Sequence, residues 1–574
     1  MFFITPIKLR YSIILVCLLV PFLDSPLQAT PSLDAGQIIR EQQPQREYPE
    51  RISIPEQERM QQAPDSGSGV KVTVKAYRFT GFDALVQESE LQKLVVDTVG
   101  KELEKGGLKA QLARVDSFLK AKGWFLAQSY MPEQDVTSGI IEIRLAQGLS
   151  DGNMTFNQNK SVRVCSSVLS ALGNDAVMSG QAINERKLER SLLLMNELPG
   201  VSAHAGLVKG NAPGTTGVAV DVSEGALLSG AVWEDSYGNY YTGRLRTSAL
   251  LNINDPSGCG DQLSLIGTAS DGLEQAKISY TYPLGSSGLK GNLVFSPMQY
   301  KMHKEISALD VSGQGQSLNG GLSYPLVRSS LSNVTITGGI EHKYLFDTNF
   351  AAKISQKTIN SYTIGLKGDT FDQFLNGGYN TWSASVTSGY LNERIANLSL
   401  SGNQGGYARA NLGMGRLQRV NGLANLNLSW TAQFASGNLD SSEKFYLGGP
   451  FGVRAYPIGE AAGDAGQLFN VDLRIKLPMP ASYGTVQLSG FYDAGRITMH
   501  MKPWHNSIQT ATDKNEYWLQ GGGVDLTYIY SNRLSLKGSW AHVIGDNPGR
   551  NLSGHNSEGK SDSDRFWLLG TLFF

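Results

Sequence analysis

The hydrophobic and polar positions change their pattern at about residue 226 and keep the new pattern to the end of the chain. Beyond that point, segments of roughly ten residues alternate between apolar and polar side chains, and clusters of Gly, Asn, Asp and Ser separate them. Examples are Gln262–Gly267, Ala276–Tyr282, Val334–Ile340, Tyr362–Lys367 and Leu534–Trp540. A period of two predicts strands with one apolar face. At roughly 20–22 residues per strand and connection, the remaining stretch of about 349 residues predicts about 16 strands, an even number as in bacterial barrels.

The last of these segments ends the chain on an aromatic side chain. Phe566, Leu568, Leu572 and Phe574 fall on one face of a strand, which suits contact with lipid. Beyond the N-terminal leader, no apolar run reaches the ~20 residues of a membrane helix. A membrane protein without such a run must be a closed barrel, because lipid leaves no backbone polar group unpaired. The pattern therefore predicts a transmembrane β-barrel over residues 225–574.

Two smaller regions before the barrel repeat one order of elements. Residues 70–148 predict a strand at Val72–Phe79, two helices and a two-stranded hairpin, and Gly123 ends the second helix. Residues 149–224 repeat this β-α-α-β-β order with little sequence identity. The apolar helical positions are Leu112, Val115, Phe118 and Leu119 in the first region and Leu188, Leu192 and Met195 in the second. Two copies of one α/β module in tandem predict a jointed arm.

The N-terminal leader has the three parts of a secretory signal peptide. Lys8 and Arg10 form a basic start, Ile13–Leu23 is apolar, and Leu27 to Ala29 is a small-residue cleavage site. An inner-membrane anchor is the alternative, but it needs a longer apolar run. We therefore expect residues 1–29 to be absent from the mature protein.

Two polar segments connect the leader to the first module. Residues 34–43 can form a short helix with Gln37, Ile38 and Ile39 in its middle, and the alternative is a disordered mature N-terminus. Residues 44–69 contain four prolines and many charges, which gives them no means of burying a core. We interpret this second segment as a linker.

Composition and charge narrow the class of partner. The chain has 574 residues, 65 Gly and a formal net charge of −1. The length predicts two or more domains, and the balanced charge gives no indication of nucleic acid or an acidic ligand. Cys17 lies in the leader, so the mature chain keeps Cys165 and Cys259. The predicted organisation puts these two in different domains, which implies no disulfide framework, and we interpret both as incidental.

Motifs that would indicate an enzyme lack their structural context. Gly554–Ser561 fits the phosphate-loop pattern, but that loop works only between a buried strand and a helix. Here it stands shortly before the last predicted strand, so we interpret it as a chance match in an outer loop. The seven His residues, including His500 and His505, show no metal-ligand spacing, and no Ser-His-Asp arrangement has a supporting context. We expect no enzyme activity, no metal and no cofactor.

Five stretches of sequence carry a resemblance to one family. They are Leu188–Val201, Ser279–Leu284, Ser323–Leu326, Phe445–Pro457 and Phe491–Gly495. With the order of leader, helix, linker, two modules and barrel, they resemble the TpsB transporters of two-partner secretion, which include the hemolysin-activator and filamentous-hemagglutinin transporters. The modules of that family are called POTRA domains. The resemblance implies a signal peptide at 1–29, an N-terminal plug helix at 30–43, a linker at 44–69, POTRA domains at 70–148 and 149–224, and a barrel at 225–574.

The resemblance also implies where functional residues lie. In this superfamily a signature loop folds back into the barrel, where its Arg meets an Asp of the inner wall; those residues are Arg454 and Asp493 here. The other matched signature positions are Gly452, Val453 and Tyr456 in the loop and Phe491 and Gly495 in the strand. The alternative is an exposed loop Arg and an unrelated Asp. Ala455 departs from the usual Gly, and it would be strained if this position needs a positive φ.

The implied function is protein export across the outer membrane of a Gram-negative cell. POTRA domains in the periplasm would capture a large, unfolded, TpsA-like client that becomes β-helical outside, and the client would thread through the barrel. The implied partners are this client, outer-membrane lipid and the barrel-assembly machinery, for which Phe574 is the C-terminal signal; nucleic acid is not among them. The alternatives are a barrel-assembly insertase of the same superfamily and a diffusion porin. The modules could also serve only as spacers.

Overall fold

The structure is a computed structural model. It describes residues 34–41, 71–159, 161–350, 352–395 and 402–574. The signal peptide expected at 1–29 and the linker expected at 44–69 lie outside these ranges. Within them, no helix is both long enough and apolar enough to cross a membrane.

An N-terminal helix and a first α/β domain open the described chain. Their elements are α1 (Ala35–Glu41), β1 (Val72–Thr73), β2 (Ala76–Thr80), α2 (Glu88–Val95), β3 (Glu102–Leu103), α3 (Lys105–Ala121), β4 (Gln128–Tyr130) and β5 (Ile140–Ala146). The sheet order is β2-β5-β4, with β2 parallel to β5. Val115 and Leu119 of α3 pack in one buried cluster with Ile141 and Ile143 of β5, so the apolar stripe predicted from the sequence forms this domain's core.

The single strand expected over Val72–Phe79 is divided in two. The backbone N–H of Val74 donates to the carbonyl of Lys101, and β1 pairs with β3. Only β2 joins the main sheet. The alternating pattern gave the correct conformation but could not indicate that the two halves have different partners.

A second α/β domain repeats the arrangement. Its elements are β6 (Leu149–Gln158), α4 (Ser166–Gly173), α5 (Glu185–Asn196), β7 (Val201–Lys209) and β8 (Thr215–Glu224). The sheet order is β6-β8-β7, with β6 parallel to β8. The side chain of Asn184 accepts a hydrogen bond from the N–H of Arg186 at 3.0 Å, and this cap begins α5.

The two domains meet where α3 ends and α5 begins. The carbonyl of Gly123, which has a φ of 92°, accepts the N–H of Glu185 at 2.8 Å. The guanidinium of Arg186 donates to the carbonyl of Ala121 at 2.9 Å. Carbonyls at the end of one helix thus meet donors at the start of the next, which satisfies groups that a helix end leaves unpaired. A Cβ at Gly123 would lie 3.0 Å from the Asn184 side chain, so this close joint needs a small residue.

The rest of the chain forms a closed barrel of sixteen strands. In chain order they are β9 (Leu228–Asp235), β10 (Arg246–Asn254), β11 (Gln262–Ala269), β12 (Leu273–Pro283), β13 (Lys290–Lys301), β14 (Val311–Arg328), β15 (Ser332–Asn349), β16 (Ala352–Asp372), β17 (Gly378–Ile395), β18 (Gly405–Arg419), β19 (Ala424–Ala435), β22 (Ala465–Lys476), β23 (Thr485–Thr498), β24 (Glu516–Tyr530), β25 (Leu534–Val543) and β26 (Asp564–Phe573). Each pairs antiparallel with the next, which confirms the predicted fold class and strand number.

The first and last strands close the barrel. Leu569–Phe573 of β26 pair with Ala231–Asp235 of β9 in five residue pairs, whereas β15 and β16 form eighteen. Gly230 and Phe574 exchange backbone hydrogen bonds of 2.9 and 3.0 Å beyond this register. A Cβ at Gly230 would lie 2.6 Å from the Phe574 ring, so the terminal aromatic residue lies over a position that has no side chain.

Alternation separates a lipid-facing surface from an inner wall. In β26 the side chains of Phe566 and Leu568 are 69% and 64% exposed, whereas Trp567 between them is 4% exposed. Leu572 and Phe574 are exposed as well, so the apolar face predicted for the last strand points outward. The buried set of each strand lines the lumen, and this parity identifies the inward residues used below.

Candidate functional site

A loop between β19 and β22 folds back into the lumen. A short hairpin of β20 (Phe445–Tyr446) and β21 (Ala462–Gly463) forms its base. Within it, the N–H of Val453 donates to the carbonyl of Leu447 at 2.7 Å. A Cβ at Gly452 would overlap that carbonyl oxygen, so this turn requires glycine. Val453 and Tyr456 are buried, and the loop is therefore packed against the wall rather than exposed.

Arg454 lies at the inner end of this loop and contacts Asp493 of β23. Its Nε donates to Asp493 Oδ2 at 2.8 Å, and its Nη2 donates to Asp493 Oδ1 at 2.7 Å. The backbone N–H of Arg454 adds a third bond, at 3.0 Å to Oδ2. Arg454 is 7% exposed and Asp493 is 0% exposed. Two parallel charge-assisted bonds in a water-poor site make a strong and directional attachment.

Four further wall residues hold the same arginine. Nη2 contacts Asp472 of β22 at 2.7 Å and Nη1 contacts Asp525 of β24 at 3.1 Å. The guanidinium lies 3.5 Å from the ring centroid of Phe491. The indole N–H of Trp567 in β26 donates to the carbonyl of Arg454 at 2.8 Å. One loop residue is thus bonded to four wall strands, and we call Arg454 with Asp472, Asp493, Asp525, Phe491 and Trp567 the latch.

Sequence reasoning identified Arg454, Asp493 and Phe491 but missed Asp472, Asp525 and Trp567. A local signal for the two carboxylates existed. Asp472 and Asp525 each interrupt an outward apolar pair, Val471 and Leu473 in one strand and Val524 and Leu526 in the other. That pattern predicts an inward carboxylate. Strand register decides which inward carboxylates lie at the same height in the barrel and can therefore meet. Local alternation does not determine that register.

The strain expected at Ala455 is absent. Ala455 does not have a positive φ, so the loop follows a path that an alanine tolerates. Its side chain is buried against β24, where a Cβ added to Gly521 would lie 2.5 Å from the Ala455 Cβ. On the other side of the loop, a Cβ at Gly495 would overlap the Leu447 side chain. Wall glycines therefore provide the space that the loop occupies.

Filling this space should destabilise the protein. We expect Gly521→Ala to cost about 1–3 kcal/mol, because an added methyl group would overlap that of Ala455. Ala455→Gly in the same chain should recover most of the loss. Gly490→Ala is the control, since a Cβ there meets nothing within 4 Å. The temperature at which the barrel loses its compact form on a gel measures the effect, and equal temperatures for Gly521→Ala and Gly490→Ala would contradict it.

Helix α1 also lies inside the lumen. Ile38 and Ile39 belong to a buried cluster with inward residues such as Leu345 and Ile359. A Cβ at Gly315 of β14 would lie 2.7 Å from Ile39, so the wall is close on this side. Gln37 is half-buried, and its backbone N–H donates to Asp34 at 2.9 Å. The described helix is shorter than the segment expected at 30–43, whose ends lie outside the described residues.

Charged and polar groups attach α1 to the wall at its N-terminal end. Lys357 of β16 contacts Asp34 at 2.9 Å and Asp440 at 2.9 Å. The carboxylate of Asp347 in β15 accepts the N–H of Ala35 at 2.9 Å. The hydroxyl of Ser441 donates to Asp34 at 2.6 Å. Asp347 thus binds an N–H at the start of the helix, where a negative charge is favourable, and these contacts of α1 with the wall are ion pairs and hydrogen bonds.

The connection between β25 and β26 packs against the signature loop. Glu460 accepts hydrogen bonds from the Asn547 side chain and the Ser557 N–H, both at 2.6 Å. Ser557 belongs to the phosphate-loop match, which stands between β25 and β26 with no described helix after it. Arg565 contacts Glu558 at 3.1 Å. The Ser557 N–H and the Glu558 carboxylate thus bond to side chains of the same chain.

The second α/β domain docks on the opposite end of the barrel. Arg190 of α5 donates to the carbonyl of Pro325 at 2.9 Å. Glu197 contacts Lys290 at 2.8 Å, and Glu189 accepts the N–H of Ser330 at 2.8 Å. These partners lie at the ends of strands or in the turns between them, so α5 rests against the barrel mouth.

Comparison with known proteins gives matches over nearly the whole chain. The family model for the haemolysin secretion/activation protein ShlB/FhaC/HecB matches residues 214–512, and that for the ShlB-type POTRA domain matches residues 72–148. The heme/hemopexin transporter protein HuxB of Haemophilus influenzae (strain 86-028NP) is 27% identical over 492 residues, 84% of each chain. The outer membrane transporter CdiB of Escherichia coli is 23% identical over 551 residues, 90% of this chain and 88% of its own.

Two solved structures share the fold. CdiB from Escherichia coli has a TM-score of 0.72 at 18% identity and covers 88% of this chain and 91% of its own. CdiB from Acinetobacter baumannii has a TM-score of 0.64 at 19% identity, and the match covers 89% of this chain and 91% of that structure's chain. The family model covers more than half of the 574 residues. The chain therefore belongs to the ShlB/FhaC/HecB family, the TpsB outer-membrane transporters of two-partner secretion, which export a partner exoprotein through a β-barrel and carry POTRA domains in the periplasm.

Proposed function

We propose that this chain exports one large client protein, which its POTRA domains capture unfolded and its barrel conducts to the cell exterior. The observation that carries this proposal is the position of α1, a helix inside the lumen held by polar contacts to Lys357 and Asp347. Such contacts can exchange for water when the helix leaves. A barrel closed by a removable helix, with a receptor at its inner mouth, suits regulated transport of a polypeptide better than free diffusion.

In this proposal the chain has the domain boundaries that its sequence predicts. The signal peptide spans residues 1–29, the plug segment 30–43, the linker 44–69, the POTRA domains 70–148 and 149–224, and the barrel 225–574. No covalent chemistry is required, and folding of the client outside the cell supplies the direction of transport.

The receptor step rests on the free edge of β2. Only β5 pairs with β2 among the described strands, so its other edge can accept a client strand. At that edge the side-chain amide of Gln92 in α2 donates to the carbonyl of Tyr77 at 3.0 Å. A side chain that covers an edge carbonyl can be displaced by a backbone N–H of an extended peptide. Main-chain bonds would then supply affinity for an unfolded client without demanding one sequence.

Deleting the first POTRA domain should abolish client binding. Without residues 70–148 the client loses the β2 edge, whereas the second domain keeps its contacts with the barrel through Arg190 and Glu197. A pull-down of the client's N-terminal region by the purified transporter measures binding. Arg114→Ala is the control, because its contact with Asp97 is exposed and lies on α3 and the turn after α2, not at the β2 edge. Binding that survives the deletion would make the domain a spacer.

Two further partners follow from the barrel surface. Outer-membrane lipid would contact the exposed apolar face that includes Phe566 and Leu568. The barrel-assembly machinery would recognise the C-terminal strand, with Phe574 as its terminal signal. The exposure of Phe574 and its position at the closing seam support this role.

The decisive experiment compares exterior and outer-membrane proteins of cells with and without this chain. We expect one large protein to disappear from the medium or surface while other barrels keep their levels. Depletion of many barrels would instead identify an insertase. If the proteins in both fractions are unchanged, the chain would instead be a diffusion porin.

A further inference from the structure

Two cysteines that the sequence assigns to different domains lie in two segments that contact each other. Cys165 precedes α4 in the second POTRA domain, and its backbone N–H donates to the carbonyl of Gly258 at 2.9 Å. Gly258 immediately precedes Cys259 in the turn that joins β10 and β11. The interpretation of both cysteines as incidental overlooked this contact, because nothing in the sequence indicates which barrel turn the POTRA domain touches.

The backbone geometry at this contact suits a disulfide. The 2.9 Å hydrogen bond brings the two backbone segments into direct contact, and a disulfide needs Cα atoms about 4.4–6.8 Å apart. A carbonyl oxygen lies between the Cα atoms of the two residues that its peptide joins, so Cys165 is beside Cys259 as well as Gly258. The Sγ of Cys165 lies 3.5 Å from the position of a Cβ built on Gly258. Both thiols are free in this structure, Cys165 exposed and Cys259 half-buried, so a reagent can reach them.

We propose that Cys165 and Cys259 form a disulfide in the mature protein that ties the second POTRA domain to the barrel. Two S–H bonds break and one S–S bond forms. The two electrons and, in the net reaction, the two protons pass to the disulfide of a thiol-disulfide oxidoreductase, which becomes a dithiol, through a mixed disulfide. The oxidising periplasm, where POTRA domains of this family lie, maintains such bonds.

Neighbouring contacts already hold this junction in the geometry that the bond needs. Arg163, two residues before Cys165, donates to the carbonyl of Asn254 at the end of β10 at 3.4 Å. A Cβ at Gly260 would lie 2.7 Å from Leu198, so the turn packs closely on the domain. The disulfide would therefore fix an existing arrangement rather than create one. The second POTRA domain then stays at the barrel mouth during transport, and motion that admits the client belongs to the first POTRA domain or to the lumen.

Thiol counting tests the proposal on the intact protein. Outer membranes are quenched in acid, dissolved in SDS and treated with maleimide-polyethylene glycol before and after reduction. We expect no addition to the unreduced wild type and two additions after reduction, since the mature chain has only these two cysteines. C165S and C259S should each accept one addition without reduction. Two additions to the unreduced wild type, or a disulfide-linked dimer on a non-reducing gel, would overturn the proposal.

A second measurement detects the covalent loop that a bond between Cys165 and Cys259 would close. A protease site inserted in the exposed loop Asn211–Pro213 between β7 and β8 lies inside the loop that the disulfide closes. After cleavage, the two fragments should migrate together on a denaturing gel until they are reduced. In the C165S chain they should separate without reduction. Fragments of the wild type that separate without reduction would contradict the bond.

Discussion

Replacing Arg454 with Ala is expected to lower secretion roughly tenfold or more while the barrel still folds. Removal of one partner from a buried ion pair costs about 3–5 kcal/mol, because the remaining charge is left without its counterion. Here Asp493, Asp472 and Asp525 would face one another without the guanidinium that binds all three. Their repulsion should drive the loop out of its place. The barrel strands keep their backbone pairing, so folding should persist.

The experiment compares the amount of client outside the cell with the amount of folded transporter in the membrane. Arg454→Lys should restore only part of the activity, since an ammonium group cannot form the two parallel bonds to Asp493. Arg474→Ala is the matched control, because that lumen arginine only reaches Asp472 at 4.0 Å. If Arg454→Ala secretes the client normally, with folded barrel at the wild-type level, the latch is not required for secretion.

Deleting residues 30–43 is expected to raise the conductance of single pores in planar bilayers a few-fold. Helix α1 occupies lumen space beside β14 and β15, and ions would use that space once the helix is gone. Lys357→Ala should give a smaller rise with frequent switching, because it removes the cation between Asp34 and Asp440 and loosens the helix without deleting it.

Lys301→Ala controls for the loss of a lysine near the outer mouth. Its contact with Asp310 is more than 40% exposed on both sides and does not involve α1. Conductance should be unchanged in that variant. If the deletion variant also conducts like the wild type, α1 is not a plug, and the wall-bound helix would have a purely structural role.

Local alternation was enough to predict the barrel because membrane strands obey a strict rule. Most lipid-facing positions are apolar, so segments such as Tyr362–Lys367 show both their period of two and their outward face from local sequence alone. The same holds for the C-terminal strand, where outward Phe566 and inward Trp567 differ as the alternation predicts. The strand number followed from length, since each strand and its connection consume a similar stretch of chain.

Non-local pairing could not be predicted in the same way. The meeting of Asp472 and Asp525 at Arg454 depends on the register of three strands, and the contact of Cys165 with the β10–β11 turn depends on how two domains dock. The split of Val72–Phe79 between β3 and β5 is a choice of partner that alternation does not encode. The same holds for Ala455, whose φ is not positive, because the path of the folded loop sets that angle and the sequence motif does not give the path.

The seam between β9 and β26 constrains the order in which the barrel can fold and close. Its five residue pairs join the beginning of the barrel sequence to its last residues, so the contact has nearly the largest sequence separation that this domain allows. Such contacts form slowly, because a long loop must close first. Until Phe573 arrives, β9 and β25 are open edges that can pair with other chains. A chain truncated before β26 should therefore aggregate rather than insert, because the wall becomes continuous only when the β26 residues that pair with β9 are present.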